Sequence, residues 1–248
     1  MKDADKNGIR TPPQAERLYD YEMAYTFAPN FGRFGVNLYY MNYHNQIVAT
    51  GRVNDAYRPI MENVDKSYRR GVELTAAVYP ARQWKVEANL SLSQNKILHY
   101  TNYVDQCDNS INWNYMEQRA DYFDETDIAY SPSVVGAAIV QYAPLNGWLL
   151  ALTGKYVGAQ YYDNTSSAER QIDAYYPVNF QLNYNFSIGK KIGATLQLAV
   201  NNLFNEMYST SAFMNYRTVF ANGDKDDQDR RFFPQAGRNA LLKVGLAF

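Results

Sequence analysis

Two polar segments of the sequence combine aromatic side chains with arginine. The first carries Trp113, Tyr115 and Arg119, and the second carries Tyr216 and Arg217. Aromatic rings stack on flat ligands, and guanidinium groups donate charge-assisted hydrogen bonds to anions and chelates. We predict that these five residues contact a small-molecule chelate ligand. The alternative is that they only pack on each other.

Metal-ligating residue types are sparse and poorly placed. His44 and His99 are the only histidines and could ligate haem iron or another metal. Counted by twos along a strand they fall in opposite phases, so they converge only if a bulge intervenes. Residues 3–8 resemble the opening of a calcium loop, but its twelfth position is Gln14, and residues 222–229 form a second acidic cluster. Solvated loops explain both acidic segments, so we predict no metal and no cofactor.

Other function classes have little support in the sequence. A hydrolase needs a nucleophile with a positioned histidine, and neither histidine has an acidic partner in register, so we predict no enzyme. The net charge of -1 and the pI of about 6.1 do not suggest a nucleic-acid partner. Cys107 is the single cysteine, which excludes an intramolecular disulfide.

The elements that would carry these residues alternate strictly between apolar and polar positions. From Tyr176 to Phe186 one phase is apolar or aromatic, and the other is almost wholly asparagine and glutamine. Period two places the two sets on opposite faces of a strand. About nine such strands are predicted: 19–27, 34–46, 72–78, 84–93, 130–142, 148–161, 176–186, 193–205 and 239–248. The phase of 130–142 stays open, because both of its faces are apolar.

The connections between these strands alternate in length. Short turns rich in Gly, Pro and Asn are predicted at 29–32, 80–83, 144–147 and 189–191. Long polar loops are predicted at 48–66, 97–129, 162–172 and 207–233. Short turns at one end and long loops at the other are typical of an outer-membrane β-barrel.

Composition is compatible with such a barrel. The 23 tyrosines suit the aromatic girdles of a transmembrane barrel, although a tyrosine-rich soluble sandwich is the alternative. The sequence contains no run of about 18 uncharged residues, so it predicts no transmembrane helix. In the barrel interpretation lipid surrounds the apolar set, which is Val86, Leu90, Val178, Phe180, Leu182, Leu242, Val244 and Leu246. The lumen is lined by the polar set, which is Lys85, Glu87, Asn179, Gln181, Asn183 and Lys243.

Several segments, in this order and spacing, resemble the TonB-dependent receptors of Gram-negative outer membranes. The segments are Glu16–Glu22 with Val36–Tyr43, Ser67–Leu74, Val200–Asn205 followed by Tyr208, and Phe232–Asn239 leading into the last strand. The resemblance implies an all-β, antiparallel transmembrane β-barrel of about 22 strands, of which this chain carries about the last nine. Residues 1–15 would be the remnant of an extracellular loop, and residues 16–248 the C-terminal strands.

The resemblance also implies a function. The parent would be an active-transport receptor that imports a scarce nutrient of the siderophore-iron, haem or cobalamin type. The chain opens without a signal peptide, so we expect a piece of a longer protein whose missing N-terminal part contacts the TonB complex. A passive porin and an outer-membrane hydrolase are the alternatives.

The last residue, Phe248, has a separate expected role. It ends a strand whose apolar phase is Leu242, Val244 and Leu246. In the family this chain resembles, such an end is read by the barrel-assembly machinery and pairs with the first strand. The alternative is that Phe248 is one more aromatic anchor in outer-membrane lipid.

Overall fold

The structure, a computed structural model, consists mainly of antiparallel strands, with two short parallel pairings. It describes residues 13–53, 58–108, 114–189, 191–214, 218–220, 225–226 and 230–247. The strands are β1 Arg17–Phe27, β2 Gly32–Val53, β3 Pro59–Ala81, β4 Trp84–Cys107, β5 Tyr115–Asp127, β6 Val134–Tyr142, β7 Trp148–Val157, β8 Gln160–Tyr161, β9 Gln171–Ile172, β10 Val178–Ile188, β11 Ile192–Asn201, β12 Ser209–Met214, β13 Thr218–Phe220, β14 Lys225–Asp226, β15 Arg230–Pro234 and β16 Asn239–Ala247.

Helix is almost absent from the described residues. They hold one three-residue 3-10 helix, Ala168–Arg170. None of their helices is long and apolar enough to cross a membrane. The all-β prediction is therefore confirmed for this part of the chain.

Nine strands pair in one antiparallel series, β1-β2-β3-β4-β6-β7-β10-β11-β16. Directly opposed residues in such pairs lie on the same face of the sheet. One line of partners crosses six strands through Leu242, Leu198, Leu182, Leu150, Tyr142 and Trp84. The adjacent line on the other face runs through Gln181, Ala151, Gln141 and Lys85. The predicted apolar and polar sets therefore lie on opposite faces.

The apolar face carries no covering layer among the described residues. Leu74, Leu90 and Leu152 lie in the middle of the sheet and are 41%, 36% and 42% exposed. Two concavities between neighbouring strands are instead lined largely by polar-face residues. The apolar set thus does not form the core of a two-sheet sandwich.

The predicted short turns are confirmed at the same end of the sheet, here called the turn end. Strand β3 ends at Ala81 before β4 begins at Trp84, and β10 ends at Ile188 before β11 begins at Ile192. Between β6 and β7, Gly147 has φ +84, and a Cβ there would lie 2.1 Å from the Asn185 carbonyl oxygen. Only glycine fits that turn without backbone movement.

Two of the predicted long loops are wrong at the opposite end, here called the hairpin end. Strands β2, β3 and β4 are 22, 23 and 24 residues long, so most of 48–66 and 97–129 is strand. Asn45 and His99 both adopt φ 55, and beyond each of them the buried positions change phase. The strand continues, but the period-two pattern read from the sequence stops there.

The predicted strand 130–142 begins only at Val134, and its phase is now fixed. Strand β4 pairs with β6 as far as Leu92 and with β5 from Lys96 onward. Residues 129–132 leave the ladder between the two partners, because Tyr130 has φ 54 and Pro132 has no N–H to donate. Ile128 and Ser133 on either side still form backbone hydrogen bonds to β4. Val140 lies opposite Val86 and Leu152, which places the even-numbered residues of β6 on the apolar face.

Candidate ligand-binding end of the barrel

The hairpin end contains a packed core on the polar-face side of the strands. This hairpin cluster consists of Val48, Val64, Ile97, Tyr100 and Ile128, with Phe123 packed against it. Tyr100 stacks on Phe123 with ring centroids 6.3 Å apart and donates a hydrogen bond of 2.9 Å to Glu62 Oε1. Burial, followed by the nearby Glu62 carboxylate, raises the pKa of Tyr100 well above its usual range. The tyrosine is therefore a neutral hydrogen-bond donor at physiological pH.

The connection from β7 to β10, residues 158–177, is tied to the strands around this cluster through side-chain hydrogen bonds. Asn164 Oδ1 accepts a hydrogen bond from Ala129 N, and its Nδ2 donates one to Ala49 O, both at 2.8 Å. Ser166 Oγ accepts from Asp127 N and donates to the Asp127 carboxylate. The connection is held as part of the hairpin end.

An ion pair is buried inside the same connection. Arg170 Nη1 lies 2.5 Å from Asp163 Oδ2, and the side chains are only 3% and 6% exposed. The other carboxylate oxygen, Asp163 Oδ1, accepts hydrogen bonds from the amide and the hydroxyl of Thr165. A buried charge pair must be hydrogen-bonded on its remaining groups, and both carboxylate oxygens of Asp163 meet that condition.

Of the five predicted ligand contacts, Arg119 is fully described. It lies on β5 opposite Val104 and forms a forked ion pair with Asp121, with Nε to Oδ1 at 2.8 Å and Nη2 to Oδ2 at 3.1 Å. This pair uses two of the five guanidinium N–H groups. The side chain is 42% exposed, so the guanidinium is held in one orientation while remaining accessible.

The other four predicted contacts are not brought together with Arg119 by any described geometry. The backbone of Tyr115 opens β5 opposite Cys107. Trp113, Tyr216 and Arg217 lie outside the described residues, as does Phe248. The ligand-binding role of the five residues stays a prediction.

The polar face holds a concavity of about 320 Å³ next to the hairpin cluster. Its charged residues are Glu22, Arg69 and Glu73. Arg69 Nη1 donates to Ser131 Oγ at 3.0 Å and to Asn95 Oδ1 at 3.3 Å, while Glu73 accepts from Asn37 Nδ2 at 3.3 Å. The lumenal surface is therefore polar and of mixed charge.

Neither histidine belongs to a metal site in the described part of the chain. His44 packs edge-on against Tyr19 on the apolar-face side, with centroids 6.1 Å apart, and His99 is exposed at the phase change of β4. No group of three or more His, Cys, Asp or Glu is placed to hold an ion among the described residues. Residues 3–8 and most of 222–229 lie outside them.

Sequence reasoning missed the role of Asn202. It adopts φ 51 directly after β11 and is 4% exposed. Its Oδ1 accepts from Glu206 N at 2.8 Å, and its Nδ2 donates to Glu206 O at 2.8 Å and to Ala236 O at 3.3 Å. Glu206 in turn accepts from Tyr176 N. The pair of asparagines at 201–202 was the available signal, since asparagine tolerates positive φ and bonds to nearby backbone.

The arrangement agrees with a known family. A family model described as TonB dependent receptor-like, beta-barrel, matches residues 5–203. The chain belongs to the TonB-dependent receptor family. No curated protein sequence matches the chain.

Solved structures of iron-chelate import and siderophore receptors share the fold at low sequence identity. The ferric-catecholate import receptor Fiu from E. coli K12, in its closed form, superimposes with a TM-score of 0.59 at 13% identity, covering 99% of this chain and 31% of that receptor. The ferric yersiniabactin uptake receptor FyuA from Yersinia pestis gives 0.61 at 14% identity, covering 93% and 29%. The siderophore receptor PiuA from Acinetobacter baumannii gives 0.60 at 15% identity, covering 93% and 28%. This chain thus spans less than a third of the length of these receptors.

Proposed function

We propose that this chain is the C-terminal portion of the barrel of an outer-membrane receptor that imports an iron chelate of the siderophore type. Residues 16–248 would be the last strands of the barrel, and residues 1–15 a remnant of the preceding extracellular loop. The observation that carries the proposal is the combination of an uncovered apolar sheet face with a packed, tyrosine- and arginine-bearing hairpin end.

The height of the apolar band supports the membrane location. On β4 the apolar phase runs from Trp84 to Leu92 and gives way to Gln94. From Trp84 to Gln94 there are about ten residue steps of ~3.3 Å each, which at a tilt of ~40° span a height of about 25 Å, close to the apolar height of transmembrane barrels. Aromatic pairs lie at both borders: Trp84 with Tyr142 at the turn end, and Tyr21 with Tyr40 at the hairpin end. The turn end would face the periplasm.

The type of cargo is suggested by the similar structures. All three of the receptors described above are named for ferric-catecholate, ferric yersiniabactin or siderophore uptake. A ferric siderophore is bulky and often anionic, and it suits aromatic stacking and guanidinium donors. Trp113, Tyr115, Arg119, Tyr216 and Arg217 are the proposed contacts, with Arg119 oriented by Asp121. Haem and cobalamin are the alternative cargoes.

Energy coupling and assembly complete the proposal. Transport would depend on the TonB complex, acting through a part of the receptor outside this chain. Insertion into the outer membrane would use the barrel-assembly machinery. Family and structural neighbours are transport receptors, which favours this function over that of a barrel hydrolase.

The test is uptake by the full-length receptor in cells with and without TonB. Radioactive iron supplied as a ferric catecholate should enter saturably and only with TonB, whereas haem and cobalamin should not compete. Arg119→Ala should raise the chelate concentration at half-maximal uptake at least about tenfold, because a hydrogen bond to a charged group contributes ~1.5–3 kcal/mol. Arg82→Ala removes an exposed arginine at the turn end and serves as the control.

Two outcomes would contradict the proposal. Non-saturable, TonB-independent entry of small solutes would indicate a porin. Saturable uptake that Arg119→Ala and Arg82→Ala affect equally would retain the transport function but exclude the proposed role of Arg119.

A further inference from the structure

Strand β5 presents an unpaired edge at the hairpin end of the sheet. One side of β5 pairs with β4, and no other described strand pairs with it. The next strand in the series, β7, ends at Val157, opposite Val135 on β6, so it does not reach β5. The connection that follows is hydrogen-bonded to the far end of β5, where Ser166 contacts Asp127. Within the described part of the chain, residues 115–126 therefore keep one free row of backbone N–H and C=O groups.

This edge differs from the two open edges at the ends of the nine-strand series. The edges of β1 and β16 lie where further strands of a barrel would continue. Strand β5 continues the line of β6, which lies between β4 and β7, so its neighbours all belong to this chain. The hairpin of β4 and β5 already carries an added strand on its other side, since β13 pairs in parallel with residues 105–107 of β4. Strand addition to this hairpin is therefore sterically feasible.

The hairpin of β4 and β5 exposes aromatic side chains beside the free edge. Val104 lies on its buried face and is 1% exposed. Tyr103 and Tyr122 lie on the opposite face and are 56% and 80% exposed. Tyrosine is enriched in protein interfaces, because it contributes a large contact area at a small cost in side-chain entropy. The two tyrosines would add side-chain contacts to those of the backbone.

Strand β5 is strongly acidic. It carries five carboxylates and one arginine in 13 residues. Arg119 and Lys96 neutralise part of this negative charge through their ion pairs. Glu117 and Asp124 are exposed and form no ion pair with another described residue. Charges on an edge oppose indiscriminate pairing, and opposite charges on facing strands stabilise a pair, so this edge favours a cationic strand.

A second copy of this chain does not suit the free edge. Two receptors in one membrane have the same orientation, so their β5 strands would pair in parallel, which is the less stable arrangement. Identical acidic strands would also place like charges opposite each other, which is destabilising. The occupant must therefore be a different polypeptide.

We propose that the free edge of β5 binds an extended, cationic segment of an extracellular polypeptide as an added strand. Backbone hydrogen bonds would supply the affinity, and Glu117 and Asp124 would select lysine or arginine side chains. Residues 115–126 extend over about 40 Å at ~3.3 Å per residue, enough for a segment of about ten residues. The extracellular location rests on the proposed function. The edge is separate from the proposed chelate contact Arg119, which lies on the face of β5 opposite to Tyr122.

The probe is a peptide of alternating lysine and threonine, about ten residues long, added to the full-length receptor in phosphatidylcholine nanodiscs. It should bind saturably, with an affinity that falls as salt rises. Infrared spectra of a peptide with isotope-labelled carbonyl groups should show that it becomes a β-strand when bound. A lysine-proline peptide of equal charge should bind at least about tenfold more weakly, because proline lacks the N–H donor and fixes φ at ~−65°, away from the strand region.

Variants of the two exposed acidic residues locate the site. Glu117→Gln with Asp124→Asn should weaken binding of the lysine-threonine peptide about threefold to twentyfold, because each exposed ion pair contributes a factor of up to about five. Glu169→Gln with Asp173→Asn makes the same two changes at exposed residues outside the proposed site and should have no effect. Glu117→Asp with Asp124→Glu keeps both charges and should bind the peptide as the wild type does, which controls for misfolding.

Four outcomes would overturn the inference. They are equal binding of the lysine-proline and lysine-threonine peptides, equal binding by the wild type and the neutralised double variant, no binding of either peptide, and receptor dimers that the peptide dissociates, which would make a second copy the occupant. Iron uptake separates this inference from the proposed function. Saturable, TonB-dependent uptake without peptide binding would overturn the inference alone, and peptide binding without such uptake would overturn the proposed function alone.

Discussion

Phe180 offers a direct test of which face of the sheet meets lipid. It lies on β10 between Leu152 and Val200, on the apolar face. Its neighbour Gln181 lies between Ala151 and Ala199, on the opposite face. Arginine substituted at these consecutive positions therefore enters two different environments while the strand and its partners stay the same.

The expected depth of Phe180 follows from the register. The aromatic border at the turn end includes Tyr184, which stacks on Trp148 with ring centroids 4.3 Å apart. Phe180 is four residues further along the strand, which is ~13 Å, or ~10 Å in height at a tilt of ~40°. In an apolar band of ~25 Å this position is close to the midplane. Arginine at the midplane costs about 2–4 kcal/mol.

Gln181→Arg should cost much less, below about 1 kcal/mol, because the lumenal face is polar and wet. The measurement is the free energy of unfolding of the full-length receptor in liposomes, from reversible urea titration followed by tryptophan fluorescence. Phe180→Leu controls for the loss of the aromatic ring alone. The difference between the two arginine variants isolates the transfer of the guanidinium into lipid.

Equal costs at the two positions, or a larger cost for Gln181→Arg, would refute the assignment of the faces. A protein that is folded and soluble without detergent would refute it more broadly. In that case the apolar face would have to be covered by protein rather than by lipid.

Three further outcomes are expected. Asp163→Ala should destabilise the 158–177 connection by about 3–5 kcal/mol, because it leaves the buried Arg170 cation without its counter-ion. New protease cleavage within 158–177 should report this loss, and Asp163→Leu with Arg170→Met should restore protection from the protease. Asn202→Ala should lower the free energy of unfolding by about 2–4 kcal/mol, because it leaves backbone groups unpaired. Asn202→Gly should lose less, but only by the ~1 kcal/mol that alanine loses at a positive φ. Deleting Phe248 from the full-length receptor should slow membrane insertion and leave protein in the periplasm, with near-normal stability of the barrel that assembles; unchanged yield with a lowered unfolding midpoint would indicate an anchor instead.

The sequence alone determined the two faces of the sheet and its short turns. Period two is a local property, because successive side chains of any strand point to opposite faces. The side-chain types of residues such as Leu182 and Asn183 therefore predict which face each residue lies on, even when the neighbouring strands are unknown. Turns such as 144–147 are equally local, since Gly147 needs a positive φ that few other residues adopt.

The tertiary structure decided how far the strands extend beyond the apolar band. Outside lipid both faces accept mixed residues, and a single residue at φ 55, such as Asn45 or His99, reverses the alternation. The pairing of β2 with β3 nevertheless continues past Asn45 to Val53 and Pro59. Backbone hydrogen bonds maintain that ladder, and they carry no signature in the side-chain pattern.

The hairpin end depended most on tertiary contacts. The register of β4 with both β6 and β5 fixed the phase that the apolar sequence of 134–140 left open. Asn164 bonds to Ala49 across 115 residues of sequence, and no local pattern indicates that partner. Polar groups that are buried away from water must be paired somewhere, but only the folded chain determines with what.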